Sequence, residues 1–144
     1  MLRLGHSHYD SLRQHGEETY PHECCGVLLG RFDDDGTRIV TSLARAGNTR
    51  IDSPQNRYNI DPKELVRIQR EGREREEDII GFYHSHPDHP AVPSEYDREH
   101  GLPFFHYVVL AVGPESPGEI ASYVLSEDRG VFEREELLIE SDKE

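Results

Sequence analysis

Residues 79–97 of the chain read IIGFYHSHPDHPAVPSEYD, and the rest of the sequence is best understood outward from them. The first five residues, 79–83, are apolar and β-prone, which predicts a buried strand. Side chains two positions apart on a strand point to the same face. His84 and His86 therefore project together, across the small Ser85, at the end of this strand.

The loop after the strand leads into a short helix. Prolines at positions 87, 90 and 93 stop the strand and stiffen the loop. Ser94 has the character of an N-cap, because its hydroxyl can accept a hydrogen bond from an N–H of the first helical turn. Asp97 lies three residues further on, on the same face of the helix. Two imidazoles and a carboxylate can thus converge, as a zinc site with one position left for water requires.

Each part of this stretch also has an ordinary interpretation. A single histidine on a strand is usually a hydrogen-bonded or partly buried side chain. Ser94 and Asp97 alone would be a helix cap and a first-turn acid stabilised by the helix dipole. Two adjacent imidazoles, however, favour a cation or an acid between them. The complete set therefore indicates a metal site.

The spacing of these residues resembles the H-[ST]-H-x7-S-x-x-D signature of the JAMM (MPN-plus, Mov34-type) zinc metallopeptidases. His84-Ser85-His86 supplies its first part and Ser94-Glu95-Tyr96-Asp97 its second, with no departure. The family also uses a glutamate between its first helix and first strand, and Glu23 occupies the matching place. The resemblance covers roughly residues 5–130 and is to the small, stand-alone prokaryotic members.

The resemblance implies a fold and a chemistry. The fold is α+β (mixed α/β), with a curved, mostly antiparallel sheet flanked by helices in the cytidine-deaminase-like JAMM/MPN architecture. Zn²⁺ would be held by His84, His86 and Asp97, leaving a net charge near +1 that acidifies a bound water. Glu23 would act as general base, and Ser94 would stabilise the oxyanion. The cap role and the oxyanion role of Ser94 use the same hydroxyl, and both remain open.

The substrate expectation also comes from the resemblance. JAMM enzymes cut peptide or isopeptide bonds after the C-terminal tail of a ubiquitin-like protein, and small prokaryotic members suggest a sulfur-carrier protein ending in Gly-Gly. Such a tail could reach the metal by adding as a strand beside the sheet. Two alternatives stay open. Two histidines and a carboxylate also form the site of non-haem Fe(II) oxygenases. Alternatively, Cys24 or Cys25 could close a purely structural zinc site in a non-catalytic, metal-stabilised protein-binding module.

Composition limits the remaining possibilities. The 144 residues predict a single domain over 1–140, with 141–144 as a frayed tail. Sixteen basic against 29 acidic residues give a net charge of −13, which argues against a nucleic-acid partner. No apolar run approaches the length of a membrane span, and the start of the chain lacks an apolar signal region, so we expect a cytoplasmic protein without a membrane partner.

Hydrophobic periodicity and turn residues predict the remaining elements. Helices are expected over 6–19, 61–77 and 94–100, and the second should turn Leu65, Val66 and Ile68 inward. Residues 33–36 predict a hairpin turn, 47–55 a loop and 56–60 a short extended segment. Further strands are expected over 25–32, 37–46, 105–112, 119–125 and 131–138.

Overall fold

The computed structural model describes residues 1–47, 60–114, 118–128 and 130–141. Its elements, in chain order, are β1 (Leu2–Gly5), α1 (His6–Thr19), β2 (Cys25–Phe32), β3 (Arg38–Ala46), α2 (Pro62–Glu74), β4 (Asp78–Pro87), α3 (Glu95–His100), β5 (His106–Val112), β6 (Ile120–Leu125), β7 (Phe132–Glu135) and β8 (Leu137–Glu140). The loop predicted over 47–55 and the extended segment over 56–60 lie outside the described residues, apart from Gly47 and Ile60. The same holds for the predicted tail, apart from Ser141.

The strands form one eight-stranded sheet in the order β7-β6-β5-β4-β2-β3-β1-β8. Four of the seven pairings between the described strands are antiparallel, and β1–β3, β1–β8 and β4–β5 are parallel. β7 and β8 lie at opposite ends of this order, yet only Glu136 separates them in sequence. One extended residue spans only about 3.5 Å, so the two edges must approach each other. The α+β fold and the curvature of the sheet are confirmed.

Local sequence signals account for most element ends. The hairpin between β2 and β3 closes with a bond from the Asp33 N–H to the Thr37 carbonyl at 2.7 Å, and Gly36 adopts a φ of 86°. Asp61 caps α2 by accepting a hydrogen bond from the Lys63 N–H at 2.9 Å. α1 ends at Thr19, just before the cis peptide bond between Tyr20 and Pro21. These are the positions that the turn and capping residues predicted.

The structure departs from the predicted elements mainly at three places. β1 was not predicted, because four residues with two apolar positions carry too weak a pattern. The strand predicted over 131–138 is two strands that pair at opposite ends of the sheet. α2 ends at Glu74 rather than Glu77, and its Val66 side chain is 54% exposed rather than buried. Ile68 is the residue of that helix that enters the core.

The core has two main layers, one on each face of the sheet. On one face, Leu12 of α1 packs with strand residues that include Leu28, Tyr83 and Val108. On the other face, Ile68 of α2 packs with strand residues that include Phe82 and Tyr107. The adjacent positions of β4 thus alternate between the two layers. His84 and His86 share the parity of Phe82 and so lie on the α2 face. No helix among the described residues combines the length and apolar character that crossing a membrane requires.

Candidate functional site

β4 carries both histidines within the body of the sheet. It pairs with β2 on one side and with β5 on the other, placing His84 opposite Cys25 and Val109. His84 and His86 are 1% and 8% exposed. A strand hydrogen-bonded on both sides holds its backbone rigidly, so the two imidazoles have a fixed spacing.

Helix α3 supplies the carboxylate. Ser94 is its N-cap, and the Asp97 N–H donates to the Ser94 Oγ at 3.1 Å. The Ser94 N–H in turn donates to the Asp97 Oδ2 at 2.8 Å, which completes a capping box. This reciprocal pair fixes the Asp97 side chain at the start of the helix. The predicted cap is confirmed, and the same hydrogen bonds aim Asp97 at the histidines.

Three side-chain atoms meet at one point. His84 Nε2 lies 3.1 Å from His86 Nε2 and 3.1 Å from Asp97 Oδ2, and His86 Nε2 lies 3.2 Å from the same oxygen. Atoms that bind a tetrahedral zinc at 2.0–2.1 Å lie about 3.3 Å from one another. The triangle observed here has nearly these dimensions, so His84, His86 and Asp97 fit a zinc ion without rearrangement.

A backbone carbonyl sets the orientation of His86. Its Nδ1 lies 3.0 Å from the carbonyl oxygen of Pro90, in the loop after β4. A carbonyl only accepts hydrogen bonds, so Nδ1 must carry the proton and donate it. Nε2, which faces His84 and Asp97, is then the nitrogen that can bind a metal. This contact could not be predicted from residue types, because a backbone acceptor in a loop leaves no signal in them.

Glu23 approaches the histidines from the connection between α1 and β2. One of its carboxylate oxygens, one nitrogen of His84 and one of His86 all lie within 4.8 Å of one another. Glu23 is 1% exposed, and its burial raises the pKa of the carboxyl to about 8; nearby His86 opposes this rise and Asp97 adds to it. A carboxylate with a raised pKa is a better proton acceptor than a surface glutamate.

Charge in the site is concentrated on Asp97. Burial by itself raises the pKa of this carboxyl, but His84, His86 and the Ser94 N–H outweigh it and hold the pKa well below its usual range. Burial lowers the pKa of His86, and here Asp97 more than compensates and raises it. Asp97 is therefore an anion beside two imidazoles, which is the charge arrangement that suits a bound dication.

The two cysteines take no part in the described cluster. Among the described His, Cys, Asp and Glu residues, the group whose ligand atoms lie within 4.8 Å contains Glu23, His84 and His86. Cys25 Sγ instead lies 3.8 Å from the carbonyl oxygen of Ala46. Burial raises the pKa of the Cys24 thiol to about 11 and also raises that of Cys25. Since neither sulfur lies in that group, the described geometry does not support a zinc site closed by a cysteine.

An apolar cavity of about 230 Å³ lies beside Asp97, on the α2 face of the sheet. Its wall is mainly aliphatic and aromatic, and it is formed by Ile60, Leu65, Phe82, Tyr96, Asp97, His100, Gly101, Leu102 and Tyr107. Asp97 forms part of this wall and also contacts both histidines. The cavity therefore opens next to the place where a metal would sit.

The chain is similar to proteins of known name and known structure. It is 36% identical to a desampylase of Haloferax volcanii over 118 residues, covering 79% of this chain and 81% of that protein. It is 29% identical to a desampylase of Pyrococcus furiosus over 111 residues, covering 77% and 72%. A solution structure of a protein from Desulfitobacterium hafniense matches with a TM-score of 0.86 at 26% identity, covering 99% of this chain and 94% of that one. One from Salinibacter ruber matches with a TM-score of 0.75 at 36% identity, with the same coverage.

A family comparison agrees with the signature. The family described as prokaryotic homologues of the JAB domain, Prok-JAB, matches residues 5–126. This range includes Glu23, both histidines, Ser94 and Asp97, and it runs from the end of β1 to just beyond β6. Because the match spans most of the sequence, the resemblance to JAMM proteins is confirmed: the chain belongs to the Prok-JAB family of JAB-domain homologues.

Proposed function

We propose that this protein is a zinc-dependent hydrolase that cleaves the isopeptide bond joining the C-terminus of a ubiquitin-like protein to its target. Its relatives are named desampylases, enzymes that remove a ubiquitin-like small archaeal modifier from conjugates. The observation that carries the proposal is the triangle of His84, His86 and Asp97, with Glu23 close by. A sulfur carrier ending in Gly-Gly is the narrower substrate expectation.

The residues divide the reaction among themselves. Zinc bound at the triangle would lower the pKa of a water and polarise the scissile carbonyl. Glu23 takes a proton from the attacking water and delivers it to the departing amine nitrogen as the C–N bond breaks. The products are a free carboxylate on the ubiquitin-like protein and a free amine on the target.

Ser94 is placed to assist at the substrate oxygen. Its Oγ accepts one hydrogen bond, from the Asp97 N–H, and a hydroxyl also has a proton to donate. The cap and an oxyanion contact therefore use different parts of the hydroxyl and do not exclude each other. We propose that the Ser94 O–H donates a hydrogen bond to the developing oxyanion.

The substrate tail approaches from the α2 face. β4 is paired on both sides, so a tail that reaches the histidines cannot pair with β4 as an added strand. A tail that adds as a strand would therefore have to pair elsewhere than on β4. The apolar cavity beside Asp97 offers a place for a side chain of the tail, while small Gly-Gly residues pass the metal.

The test uses the zinc-loaded protein and two substrates that are made from the same ubiquitin-like protein. One substrate is joined to a target lysine through an isopeptide bond, and the other is a linear fusion with the same C-terminal sequence. Intact mass should show release of the ubiquitin-like protein ending in Gly-Gly, and removal of the metal by a chelator should stop it. Zinc-loaded protein that leaves both substrates intact would contradict the proposal.

The same samples separate the alternatives. An iron oxygenase would purify with iron rather than zinc under anaerobic conditions, would consume oxygen with a co-substrate, and would not hydrolyse an amide. A binding module would retain its metal and bind the conjugate without cleaving it. Metal analysis alongside the mass measurement distinguishes these results.

A further inference from the structure

Two residues outside the candidate metal site, Tyr20 and Asp88, connect the segment that carries Glu23 to the segment that follows the two histidines. Tyr20 follows α1 and starts the connection that contains Glu23, while Asp88 follows β4 and starts the loop that contains Pro90. The Tyr20 hydroxyl donates to the Asp88 carboxylate, with its oxygen 2.9 Å from Oδ1 and 2.8 Å from Oδ2. A bond to an ionised carboxylate is stronger than a neutral one, which partly offsets its exposure to solvent.

The local backbone holds the Asp88 carboxylate in place. Asp88 adopts a φ of 59°, a conformation that non-glycine residues rarely take, and its N–H donates to the Val112 carbonyl at 2.8 Å. Gly113, the next residue after Val112, lies against the carboxylate: a Cβ on Gly113 would come 2.5 Å from Asp88 Oδ1. The backbone conformation, the Val112 bond and the absence of a side chain at Gly113 together fix the acceptor of the Tyr20 hydroxyl.

The segment that carries Glu23 is then held at both ends. At its start, Tyr20 is bound to Asp88. At its end, the Cys24 N–H donates to Ser85 Oγ at 2.8 Å, and the Ser85 N–H donates to the Cys24 carbonyl at 3.2 Å. Ser85 precedes His86 in sequence and Asp88 follows it. Both contacts therefore hold the Glu23 segment against the part of the chain that carries the histidines.

We propose that the Tyr20–Asp88 pair is a positioning device that sets the Glu23 carboxylate relative to the two histidines. Neither residue touches the reacting atoms, and the proposal rests on the proposed hydrolase function. Without the pair, Cys24 remains anchored but the preceding residues gain freedom. A small displacement of a catalytic group is costly, and one of about 1 Å can lower the rate about 100-fold.

The test compares single-atom and matched variants in the zinc-loaded protein. Tyr20→Phe removes only the hydroxyl, and Asp88→Gly removes the carboxylate while accepting the positive φ without strain. Asp88→Asn retains one acceptor oxygen and serves as the conservative variant. Tyr9→Phe removes a hydroxyl from α1 itself, upstream of the Glu23 segment, and serves as the control.

We expect Tyr20→Phe and Asp88→Gly each to lower kcat about tenfold with KM and zinc content unchanged. The double variant should lose no more than either single variant, because both changes remove one interaction. Asp88→Asn should recover most of kcat, and Tyr9→Phe should match the wild type. A Tyr20→Phe enzyme that is folded, zinc-loaded and fully active would overturn the proposal.

A second measurement does not depend on activity. Hydrogen exchange at the backbone amides of residues 22 and 23 should become faster in Tyr20→Phe and Asp88→Gly but not in Tyr9→Phe, while the anchored Cys24 amide should be unaffected. Unchanged hydrogen exchange in both Tyr20→Phe and Asp88→Gly would also overturn the proposal. If the wild type cleaves no conjugate, the proposed function fails. The hydrogen-exchange result alone then decides whether the Tyr20–Asp88 pair holds the Glu23 segment.

Discussion

At the residue scale, the side chains of the candidate site make structural contacts and also carry the roles proposed for the reaction. Asp97 accepts the N–H of Ser94 within a helix cap and also contacts both imidazoles. His86 is oriented by the Pro90 carbonyl, and Glu23 is buried in a position that raises its pKa to about 8. Substitutions at such residues change stability and rate together, so informative variants must separate the two effects.

Ser94 allows this separation. Replacing it by alanine removes the cap acceptor and should lower the free energy of unfolding by about 1 kcal/mol. If its proton stabilises the oxyanion, the same change should also lower kcat by about 100- to 1000-fold. Ser94→Thr keeps both parts of the hydroxyl and should retain most of the activity. Urea unfolding and steady-state kinetics on each variant measure the two effects, and an active, merely destabilised Ser94→Ala would limit Ser94 to the cap.

His15 predicts a pH dependence of stability. It is buried in α1, its Nδ1 lies 2.8 Å from the Tyr83 hydroxyl, and burial followed by the nearby Arg45 lowers its pKa to about 4. Because the folded pKa is below the unfolded value of about 6.5, the unfolded state binds the proton first. The stabilisation is complete above pH 6.5 and is lost as the pH falls from 6.5 toward 4, by up to about 3 kcal/mol.

The measurement is urea unfolding from pH 7.5 to 4.5, with the metal removed, for the wild type and His15→Gln. All other groups are common to the two proteins, so the difference between the two curves isolates His15. As the pH falls from 6.5, the wild type should lose more free energy of unfolding than His15→Gln does. Parallel curves over the whole range would show that His15 does not titrate with a lowered pKa.

At the element scale, sequence patterns predicted the elements that organise the site. They failed where strand formation depends on partners that are distant in sequence. The strand before the histidines, the cap at Ser94 and the helix over residues 6–19 all follow from local residue types. β1 and the division of 131–138 into β7 and β8 depend on partners distant in sequence. Val66 lies within helical spacing of the core residues, but α2 turns Ile68 toward the core and leaves Val66 exposed.

The contact between β4 and β5 offers a test at this scale. Gly81 pairs with His106, and a Cβ added there would overlap the His106 carbonyl oxygen of the neighbouring strand. Gly81→Ala must push two central strands apart and should lower the free energy of unfolding by about 3 kcal/mol. Gly47→Ala is the control, because no atom of the described residues lies within 4 Å of its added Cβ. Equal stability of the two variants, measured by urea unfolding, would contradict the observed strand packing.

At the scale of the whole molecule, closure of the sheet and surface charge are the dominant features. The Leu2 N–H donates to the Glu136 carbonyl at 3.0 Å, which ties β1 to the junction between the two edge strands. The sequence could not predict this closure, since it joins residues from the two ends of the chain. The spacing of the JAMM-like signature did predict that His84, His86 and Asp97 lie together, because it depends on one strand end and the helix that follows rather than on the sheet edges. The roles of these residues stay predictions. The single domain over 1–140 and the cytoplasmic location stay predictions.

The net charge of −13 predicts that salt stabilises the fold. Like charges repel one another across the surface of the folded protein, and added salt screens this repulsion. The melting temperature at pH 7 should rise as sodium chloride increases. The rise should be smaller near pH 5, because the isoelectric point is about 5.0. A melting temperature at pH 7 that falls with salt would show that attractive ion pairs outweigh the repulsion.

The central claim is that Glu23 moves the proton in a hydrolysis carried out at a zinc held by His84, His86 and Asp97. The most direct measurement compares zinc content and cleavage of an isopeptide-linked conjugate in the wild type and Glu23→Gln. Glutamine keeps the size and shape of the side chain but cannot accept the proton. We predict that the variant keeps its zinc while kcat falls by at least about 100-fold. A zinc-loaded Glu23→Gln protein with wild-type turnover would contradict the account.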